Sequence, residues 1–371
     1  MKVLLVGDYS FVHYYLKQGL TELGHDVVLV SDGEGKRNVA RDIDVARDMK
    51  YGKFGGLKVL WALLRNASRL RGYDMVVIYS YNIVPLRAWW NIRLLHYLKK
   101  HNRLLLAGCN GDDAQVVEMQ AKGVPRYSEM YWNGKLQNVE ENSVRFKHHD
   151  NPESISCWKE LSDEAELILP CLYEYWLAYS KSDYSGKLCY MPLPIRIPDN
   201  VAVKGIGKQI KVLVGVQSKR EYMKGARKIG KMVEEVSRRH PGRLDIRYVE
   251  NVPYNEYCAM LDDADVQVDQ LYSFTPSMNS LAAMARGTVV IGGGEEDFYD
   301  FIGEKELRPI INVSPEKSFE DNVKAIEAAI IPEGGVKRLS QESIEFVKKY
   351  HDYRKVAAKY VEIYNNLIYN P

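Results

Sequence analysis

The residues best suited to chemistry lie in two short segments of the second half of the chain. The first, Ser218-Lys219-Arg220-Glu221-Tyr222-Met223-Lys224-Gly225, follows an apolar run typical of a β-strand. The second, residues 265–294, has the pattern of a strand, a polar loop, a short helix, a glycine stop and another apolar strand. Both patterns put a helix start at the carboxyl edge of a parallel sheet, where α/β proteins bind phosphates. Together they predict a diphosphate site.

The first segment is rich in positively charged side chains. A departing diphosphate gains negative charge, which Lys219, Arg220 and Lys224 would neutralise without a metal. Amides at the helix start around Gly225 would add to this field. A solvated basic turn is the alternative interpretation.

The second segment contains residues suited to the start of a helix. Thr275 and Ser277 are favourable capping residues, and the amides of Met278 and Asn279 are expected to hold a phosphate oxygen. Plain capping without a ligand is the alternative. Further along, Glu295 is a candidate for binding sugar hydroxyls or part of a charged surface turn. The candidate donor-binding residues of this segment are Asp269, Thr275, Pro276, Ser277, Met278, Asn279 and Glu295.

The elements that must position these residues alternate between strand and helix. Non-alternating apolar runs separated by helix-length segments predict parallel sheets covered on both faces. In the first half the predicted strands are 3–6, 26–31, 75–79, 103–107, 167–169 and 188–191. In the second half they are 210–215, 245–249, 266–269, 288–291 and 309–312. The fold class is therefore α/β, with two Rossmann-like domains that we expect to face each other across a cleft.

Prolines mark the boundary between the domains. Pro192, Pro194 and Pro198 cannot continue a strand or a helix, so residues 192–207 are predicted to be a linker. The predicted domains are residues 1–191, with an insertion at about 108–156, and residues 208–350. Residues 351–371 are predicted to form a helix that returns to the first domain.

Composition excludes several classes. A formal charge of +2 and a pI of about 8.1 are too mild to indicate nucleic-acid binding. The five cysteines form no CxxC pair, which indicates a reduced, cytoplasmic protein. Residues 1–8 are typical of a first strand and not of a signal peptide, and no apolar run reaches the length of a membrane span. Adjacent His148 and His149 lack a third ligand at suitable spacing, so no metal site and no cofactor are predicted.

The chain resembles the GT-B-fold glycosyltransferases, in particular the GT4-like "glycosyl transferases group 1" set and bacterial surface-polysaccharide enzymes. The resemblance rests on Gly24-His25-Asp26-Val27, on Lys224-Gly225, on Val252-Pro253-Tyr254-Asn255-Glu256 and on Leu281-Ala282-Ala283-Met284-Ala285-Arg286-Gly287-Thr288-Val289-Val290. The resemblance implies a metal-independent, retaining transferase that uses a nucleotide-diphosphate sugar. It also implies that the second domain holds the donor and the first holds the acceptor.

The chain departs from the family at three positions. The glutamate that typically holds the ribose falls on Ala282, and the first family glutamate falls near Phe274. Asp269 is the candidate replacement for the ribose contact. The family arginine before the lysine falls on Lys219 or Ser218, so Lys219 or Arg220 would take its role.

Candidates for the acceptor lie in the first half. Tyr9, Ser10 and His13 belong to the turn after the first strand and to the helix that follows it. Asp112 and its neighbour Asp113 follow a central strand, where either carboxylate would be placed to take a proton from the acceptor hydroxyl. A helix-start histidine without a ligand is the alternative for His13.

Two segments also have the composition of membrane-surface helices. Residues 57–72 and 86–103 combine tryptophan and leucine with lysine and arginine, as helices that lie on anionic membranes do. An ordinary helix with a charged outer face is the alternative. The membrane interpretation predicts peripheral contact with the inner membrane face and a lipid-linked acceptor.

Three functions fit these patterns. The first is transfer of a hexose from a nucleotide-diphosphate sugar to a saccharide or lipid-linked acceptor in cell-surface glycan synthesis. The second is a nucleotide-sugar epimerase, which needs an acid and a base around the sugar. The third is a non-catalytic glycan- or nucleotide-binding protein, which the departure at Ala282 favours.

Overall fold

The structure, a computed structural model, describes residues 1–205 and 207–369, without the side chains of Lys36, Lys53, His148 and Tyr254. The first of the two adjacent histidines considered as metal ligands therefore lies outside the described side chains. Ile206 of the predicted linker, and residues 370 and 371 of the predicted terminal helix, also lie outside the described residues.

The chain divides into two compact units. Unit 1 contains Met1–Val124, Val139–Pro194 and the helix Tyr353–Tyr369, and unit 2 contains Pro125–Asn138 and Ile195–Asp352. Each unit has its own parallel sheet, so the predicted α/β class with two Rossmann-like units is confirmed.

The strands are short and mostly buried. They are β1 Lys2–Val6, β2 Asp26–Ser31, β3 Ile43–Asp44, β4 Met75–Ile78, β5 Leu104–Cys109, β6 Tyr131–Trp132, β7 Lys135–Leu136, β8 Leu167–Pro170, β9 Ile210–Val216, β10 Leu244–Glu250, β11 Val266–Val268, β12 Val289–Gly292 and β13 Ile310–Asn312. All pairs in the two large sheets are parallel, and β6 and β7 form a small antiparallel hairpin.

The helices connect these strands. They are α1 Val12–Glu22, α2 Gly55–Arg65, α3 Ala88–His101, α4 Ala114–Ala121, α5 Val139–His149, α6 Pro152–Glu164, α7 Tyr173–Ser180, α8 Glu221–Lys224, α9 Ala226–Arg239, α10 Tyr254–Asp263, α11 Met278–Met284, α12 Glu296–Ile302, α13 Phe319–Ile330, α14 Gly335–Tyr350 and α15 Tyr353–Tyr369.

The strand order of each sheet reverses at one point. In unit 1 the order is β3-β2-β1-β4-β5-β8, and the direction of winding changes between β1 and β4. In unit 2 the order is β10-β9-β11-β12-β13, and it changes between β9 and β11. The loops that leave the carboxyl ends of these strand pairs separate to opposite faces of the sheet and open a crevice, which is where open α/β sheets bind ligands.

Helix α15 completes one face of the unit 1 sheet. Its residues Val356, Ala357 and Tyr360 are buried with β1 and α1 in one apolar cluster. The helix crosses α1 at Gly19, where an added Cβ would lie 2.5 Å from the Tyr353 carbonyl oxygen and 2.8 Å from the Ala357 methyl group. Glycine therefore sets the distance between these two helices.

Residues of the predicted insertion belong to both units. Helices α4, α5 and α6 pack in unit 1, whereas Pro125–Asn138, with the β6–β7 hairpin, packs in unit 2. Tyr127 donates a hydrogen bond of 2.7 Å to Glu295, and its ring stacks on Phe274 at 4.4 Å between centroids. The hairpin segment is thus part of the unit 2 structure around the loop that follows β11.

Most predicted elements form, with differences at three places. The predicted strand 188–191 is reduced to one bridge between Leu188 and Ile168. The helical segment predicted within residues 57–72 divides, because α2 ends at Arg65 and a 3₁₀ turn follows over Ala67–Leu70. The edge strand β3 was not predicted, since its two residues are too few to give a periodic signal.

Replacement of Gly19 by alanine tests the packing of α1 on α15. Glycine-to-alanine changes inside helices normally stabilise by about 1 kcal/mol. Here we expect the opposite sign, a loss of roughly 2 kcal/mol in the free energy of unfolding, because the new methyl group meets backbone atoms. Urea unfolding of Gly19→Ala measures the change. Gly186→Ala, where a Cβ meets open space, is the control, and a stabilised Gly19→Ala protein would contradict the described packing.

Candidate functional site

The unit 2 candidate site lies where β9 and β11 end. A 3₁₀ turn over Ser218–Arg220 and the short helix α8 follow β9, and α9 begins after Gly225. Gly225 has φ 66°, and an added Cβ would lie 3.2 Å from side-chain atoms of Leu271 and Tyr272. The backbone needs glycine here both for the left-handed turn and for the approach of the loop after β11.

Lys224 points to the end of the neighbouring strand. Its ammonium nitrogen lies 3.9 Å from Oδ1 of Asp269, the first residue after β11. The side chain of Lys224 is 14% exposed and that of Asp269 is 2% exposed. The amide of Leu271 donates a 2.7 Å hydrogen bond to the Lys224 carbonyl. This bond ties the Lys224 backbone to the loop after β11.

Asp269 also holds the start of α11. Oδ1 accepts a 2.8 Å hydrogen bond from Nδ2 of Asn279, and Oδ2 accepts one from the hydroxyl of Ser280. The carboxylate therefore joins Lys224 to the first turn of α11. The two segments singled out in the sequence therefore meet at this one carboxylate. The first supplies Lys224, and the second supplies Asp269 and the polar side chains of α11 that bind it.

The start of α11 differs in detail from a capped helix. Ser277 has the extended backbone of an N-cap residue, with φ −90° and ψ 179°, but its side chain makes no capping hydrogen bond. Thr275 is buried, and its carbonyl accepts a hydrogen bond from Ser273. The capping predicted for the Ser277 side chain is therefore wrong. Met278 and Asn279, the first two residues of α11, are half-exposed.

The other residues of the basic segment lie away from Asp269. Ser218 donates a hydrogen bond to Glu250 at the end of β10, on the opposite side of β9 from β11. Lys219 is exposed, and the Arg220 guanidinium lies 4.0 Å from Glu129. Of the three cations predicted to act together, Lys224 is the one that reaches the crevice between β9 and β11.

A second cluster borders the loop after β11. Glu295 accepts the hydrogen bond from Tyr127, and Phe274 lies between Tyr127 and the guanidinium of Arg126, which is 5.2 Å from its ring centroid. Arg126 also pairs with Asp297 and Glu316. Glu295, a candidate for sugar hydroxyls, is thus held in place by the hairpin segment.

The unit 1 candidate site lies at the corresponding crevice between β1 and β4. Ser10 and Phe11 both have left-handed backbones, with φ 56° and 65°, between β1 and α1. Such conformations are strained for residues other than glycine. They bring the amide of His13 to 2.9 Å from Oδ1 of Asp8, and Asp8 Oδ2 is buried without a hydrogen-bond partner among the described residues.

Burial dominates the electrostatics of this turn. Burial raises the pKa of Asp8 to about 7, against the hydrogen bond from His13 and with added repulsion from Glu34. Burial also lowers the pKa of His13 to about 4. The neutral ring donates a hydrogen bond of 2.6 Å from Nδ1 to the Gly7 carbonyl oxygen. It also makes a T-shaped contact with the Tyr79 ring, with 5.4 Å between the ring centroids. His13 is 1% exposed, so its ring fixes the turn from inside.

Tyr9 and Asp112 have different surroundings. Tyr9 is exposed, with the guanidinium of Arg37 over its ring at 5.9 Å. Asp112 pairs with Arg145 and accepts a hydrogen bond from Gln120. Asp113 is the N-cap of α4, since its side chain accepts from the amide of Val116 at 2.9 Å. Burial raises the pKa of Asp113 to about 6.

Asp8 was missed in the sequence analysis. A single aspartate after a strand carries no spacing signal, and its unpartnered oxygen follows from the strained turn, which only coordinates reveal. The position of Asp8 two residues after the first strand, at the point where the sheet reverses, is the feature that identifies it.

One cluster has the donor atoms of a metal site. Among the described residues, His96, Glu160 and Glu164 bring ligand atoms within 4.8 Å of one another. His96 and Glu160 already pair at 2.5 Å, with side chains that are 52% and 36% exposed. We interpret this cluster as a surface ion pair, because exposed acidic groups of this kind are common without a metal.

No protein-family model and no curated protein matches the sequence. Solved structures do match. A sucrose-phosphate synthase from Thermosynechococcus elongatus is 13% identical, with a TM-score of 0.61 over 100% of both chains. WaaG, a glycosyltransferase involved in lipopolysaccharide biosynthesis, is 11% identical, with a TM-score of 0.58 over 98% of this chain and 99% of that one. TarM from S. aureus, in a complex that contains UDP, is 10% identical, with a TM-score of 0.54 over 83% of this chain and 59% of that one.

At these identities the similarity shows the fold alone. The predicted resemblance to GT-B glycosyltransferases is confirmed at that level, and the two Rossmann-like units are those of the GT-B fold.

Replacement of Asp269 by asparagine tests the link between Lys224 and α11. We expect a loss of about 2 to 3 kcal/mol in the free energy of unfolding, because a partly buried cation loses its partner and a buried amide cannot accept all the hydrogen bonds. Urea unfolding measures it. Asp263→Asn, which breaks a pair with Lys211 that is exposed on both sides, is the control and should cost less than about 1 kcal/mol. Equal losses in the two variants would disprove the role of Asp269.

Replacement of Asp8 by asparagine tests the buried turn. The folded pKa of Asp8 lies above its ordinary value of 3.8, so the stability gained from the protonated form is complete below about pH 4 and is lost as the pH rises through 7. The amide that replaces the carboxyl group does not titrate. We therefore expect Asp8→Asn to gain stability relative to the wild type between pH 4 and pH 8, by about 4 kcal/mol at most.

Chemical unfolding at both pH values measures the difference between the two proteins. The titration of His13, whose stabilising neutral form is lost as the pH falls from 6.5 towards 4, occurs in both and largely cancels. A difference in stability that stays constant between the two pH values would show that Asp8 does not titrate in this range.

Proposed function

We propose that this chain is a glycosyltransferase that moves a hexose from a nucleotide-diphosphate sugar to a saccharide or lipid-linked acceptor in cell-surface glycan synthesis. The observation that supports it is the position of Lys224, whose ammonium group stands beside buried Asp269 at the β9–β11 crevice of a GT-B fold. The matched proteins include a sucrose-phosphate synthase, a lipopolysaccharide glycosyltransferase and a UDP complex, which agree with sugar transfer from a nucleotide donor.

Lys224 would stabilise the leaving diphosphate. As the glycosidic bond breaks, negative charge grows on the phosphate oxygens, and a fixed ammonium group therefore stabilises the transition state more than the ground state. Asp269 acts as the positioning residue, because it holds the lysine and the start of α11 together. This fixed positive charge is the reason to propose a metal-independent reaction.

The loop after β11 would bind the rest of the donor. The amides of Met278 and Asn279 face a phosphate oxygen, and Glu295 binds hydroxyl groups of the sugar. Each carboxylate oxygen of Asp269 can accept two hydrogen bonds, so a ribose hydroxyl could share it with Asn279 or Ser280. Thr275 and Pro276, which are buried, shape this loop, whereas Ser218, Lys219 and Arg220 contribute at longer range.

The turn after β1 would bind the acceptor. Tyr9 and Ser10 offer hydroxyl groups, and His13 holds the turn in shape. Asp8 and Asp112 are the carboxylates proposed to orient the acceptor hydroxyl by hydrogen bonding, and burial raises the pKa of Asp8 to about 7. We propose retention of configuration by front-face displacement, in which the departing phosphate oxygen takes the acceptor proton and no enzyme nucleophile is needed.

Replacement of Lys224 by alanine tests the assignment. We expect turnover to fall roughly 100-fold, from a loss of about 3 kcal/mol of charge stabilisation in the transition state. Steady-state release of the nucleotide diphosphate, with circular dichroism to confirm folding, measures the effect. Lys231→Ala, which removes an exposed cation of α9 with no proposed role in the site, is the matched control and should keep most of its activity. A folded Lys224→Ala protein with near-normal turnover would refute the role of the lysine.

The function itself is tested with a panel of UDP-, GDP-, dTDP- and CMP-linked sugars. Calorimetry identifies the donor that binds, and mass spectrometry identifies the products with and without saccharide acceptors. A glycosylated acceptor supports the transferase. An isomerised nucleotide sugar would instead indicate an epimerase, and binding without any product would indicate a non-catalytic binding protein.

A further inference from the structure

Unit 1 carries an exposed apolar stripe on the segment that begins before α2. The 3₁₀ turn Met49–Phe54 leads directly into α2. Phe54 is 74% exposed, Trp61 is 59% exposed and Leu64 is 76% exposed. The members of this surface, called the apolar stripe below, are Met49, Tyr51, Phe54, Leu57, Trp61 and Leu64.

Helix α2 is apolar on two opposite faces. Its inner face buries Val59 and Ala62 against the unit 1 core. Leu57, Trp61 and Leu64 recur at intervals of four and three residues, so they form one line along the outer face. A helix packed on a sheet normally presents polar residues on that face. The outer face of α2 is therefore apolar along this line, in place of the charged outer face considered in the sequence analysis.

Positive charge surrounds the stripe. Residues 45–72 contain seven lysines and arginines and a single acidic residue, Asp48, whereas the whole chain has a formal charge of only +2. Lys50, Lys58 and Arg65 are exposed on this segment, and the Lys58 ammonium nitrogen also lies 3.9 Å from Oδ2 of Asp44. The Arg65 guanidinium lies 5.1 Å from the ring centroid of Trp61, so a cation and an aromatic ring share one surface position.

Helix α3, the second membrane candidate in the sequence, has a different surface. Its Leu95 and Leu98 are buried in the core. Trp89 and Trp90 stack on each other at 4.2 Å, and the Arg93 guanidinium covers both rings. Of its large apolar side chains only Trp89 is among the most exposed of the described residues. The structure thus separates the two segments that the sequence had treated alike.

We propose that the apolar stripe binds the surface of an anionic phospholipid bilayer. The stripe residues would enter the region between headgroups and acyl chains, with the Trp61 ring at the interface and Lys50, Lys58 and Arg65 among the lipid phosphates. Among the described residues, no helix has the length and apolar character needed to span a membrane. The proposed contact is therefore with one leaflet and from one side.

Charge favours lipid over a protein partner. An apolar stripe with cations beside it matches a continuous anionic plane, which offers phosphates along its whole length. A second copy of this chain would bring the same excess of positive charge against itself, which is unfavourable in a symmetric interface. This inference is independent of the proposed transferase activity.

The test uses the full chain and sedimentation with two kinds of vesicle. Vesicles of phosphatidylethanolamine and phosphatidylglycerol supply negative charge, and vesicles of phosphatidylcholine do not. We expect binding to the first, weaker binding to the second, and loss of binding at high salt. The variant Phe54→Ser/Trp61→Ser/Leu64→Ser should bind anionic vesicles roughly 100-fold more weakly. The variant Lys58→Gln/Arg65→Gln should bind about 20-fold more weakly.

Matched controls come from exposed positions in unit 2. Phe319→Ser removes an exposed ring and Lys231→Gln an exposed cation, and neither should change vesicle binding. All replaced side chains are exposed, so the variants should fold, which thermal unfolding checks. The proposal is overturned if the wild type binds neither vesicle or if the triple variant binds as well as the wild type. It is also overturned if the wild type is a dimer that the triple variant makes monomeric without affecting vesicle binding.

Discussion

The ion pair between Lys224 and Asp269 is the interaction on which the unit 2 site depends. Strands β9 and β11 are neighbours in the sheet but distant in the chain, and the segment that follows each strand supplies one charge. A buried carboxylate without a cation is costly, and so is a cation held from water without a carboxylate. Each therefore stabilises the other. The pair also joins the short helix α8, which carries Lys224, to the start of α11, which binds Asp269.

The sheets of the two units reverse their strand order in the same way, but the buried aspartate near each reversal has different surroundings. At each crevice a loop leaves the first strand of the unit and an aspartate is buried close by. In unit 2 that aspartate is satisfied by Lys224, Asn279 and Ser280. In unit 1 Asp8 has one bonded oxygen and one without a partner among the described residues, and its pKa is raised. The first arrangement suits an anionic ligand, whereas the second suits a hydroxyl group that can donate to oxygen.

The sequence predicted what local patterns encode. Apolar runs indicated the parallel strands, because a strand buried on both faces must be apolar throughout. Lys224 and Gly225 were singled out because they lie between the first strand of the second unit and the helix that follows it. The helix cap at Ser277 was predicted wrongly, because the polar side chains of α11 bind a residue of another strand rather than their own helix end.

What the sequence could not reveal depends on contacts between distant segments. The hairpin segment Pro125–Asn138 packs in unit 2, although the residues on either side of it pack in unit 1. The exposure of Trp61 was equally hidden, because composition alone does not say which face of an amphipathic helix meets the core. Asp8 acquires its unusual environment from a strained turn that no spacing rule identifies.

The return of α15 to unit 1 has a consequence for the order of events during translation. The ribosome delivers every residue of unit 2 before it delivers Tyr353–Tyr369, yet one face of the unit 1 sheet is completed by that helix. The apolar sheet face that α15 covers is therefore exposed in the nascent first unit while the second unit is synthesised. Unit 2 can reach its native packing first, so the half of the chain that is synthesised earlier becomes mature later.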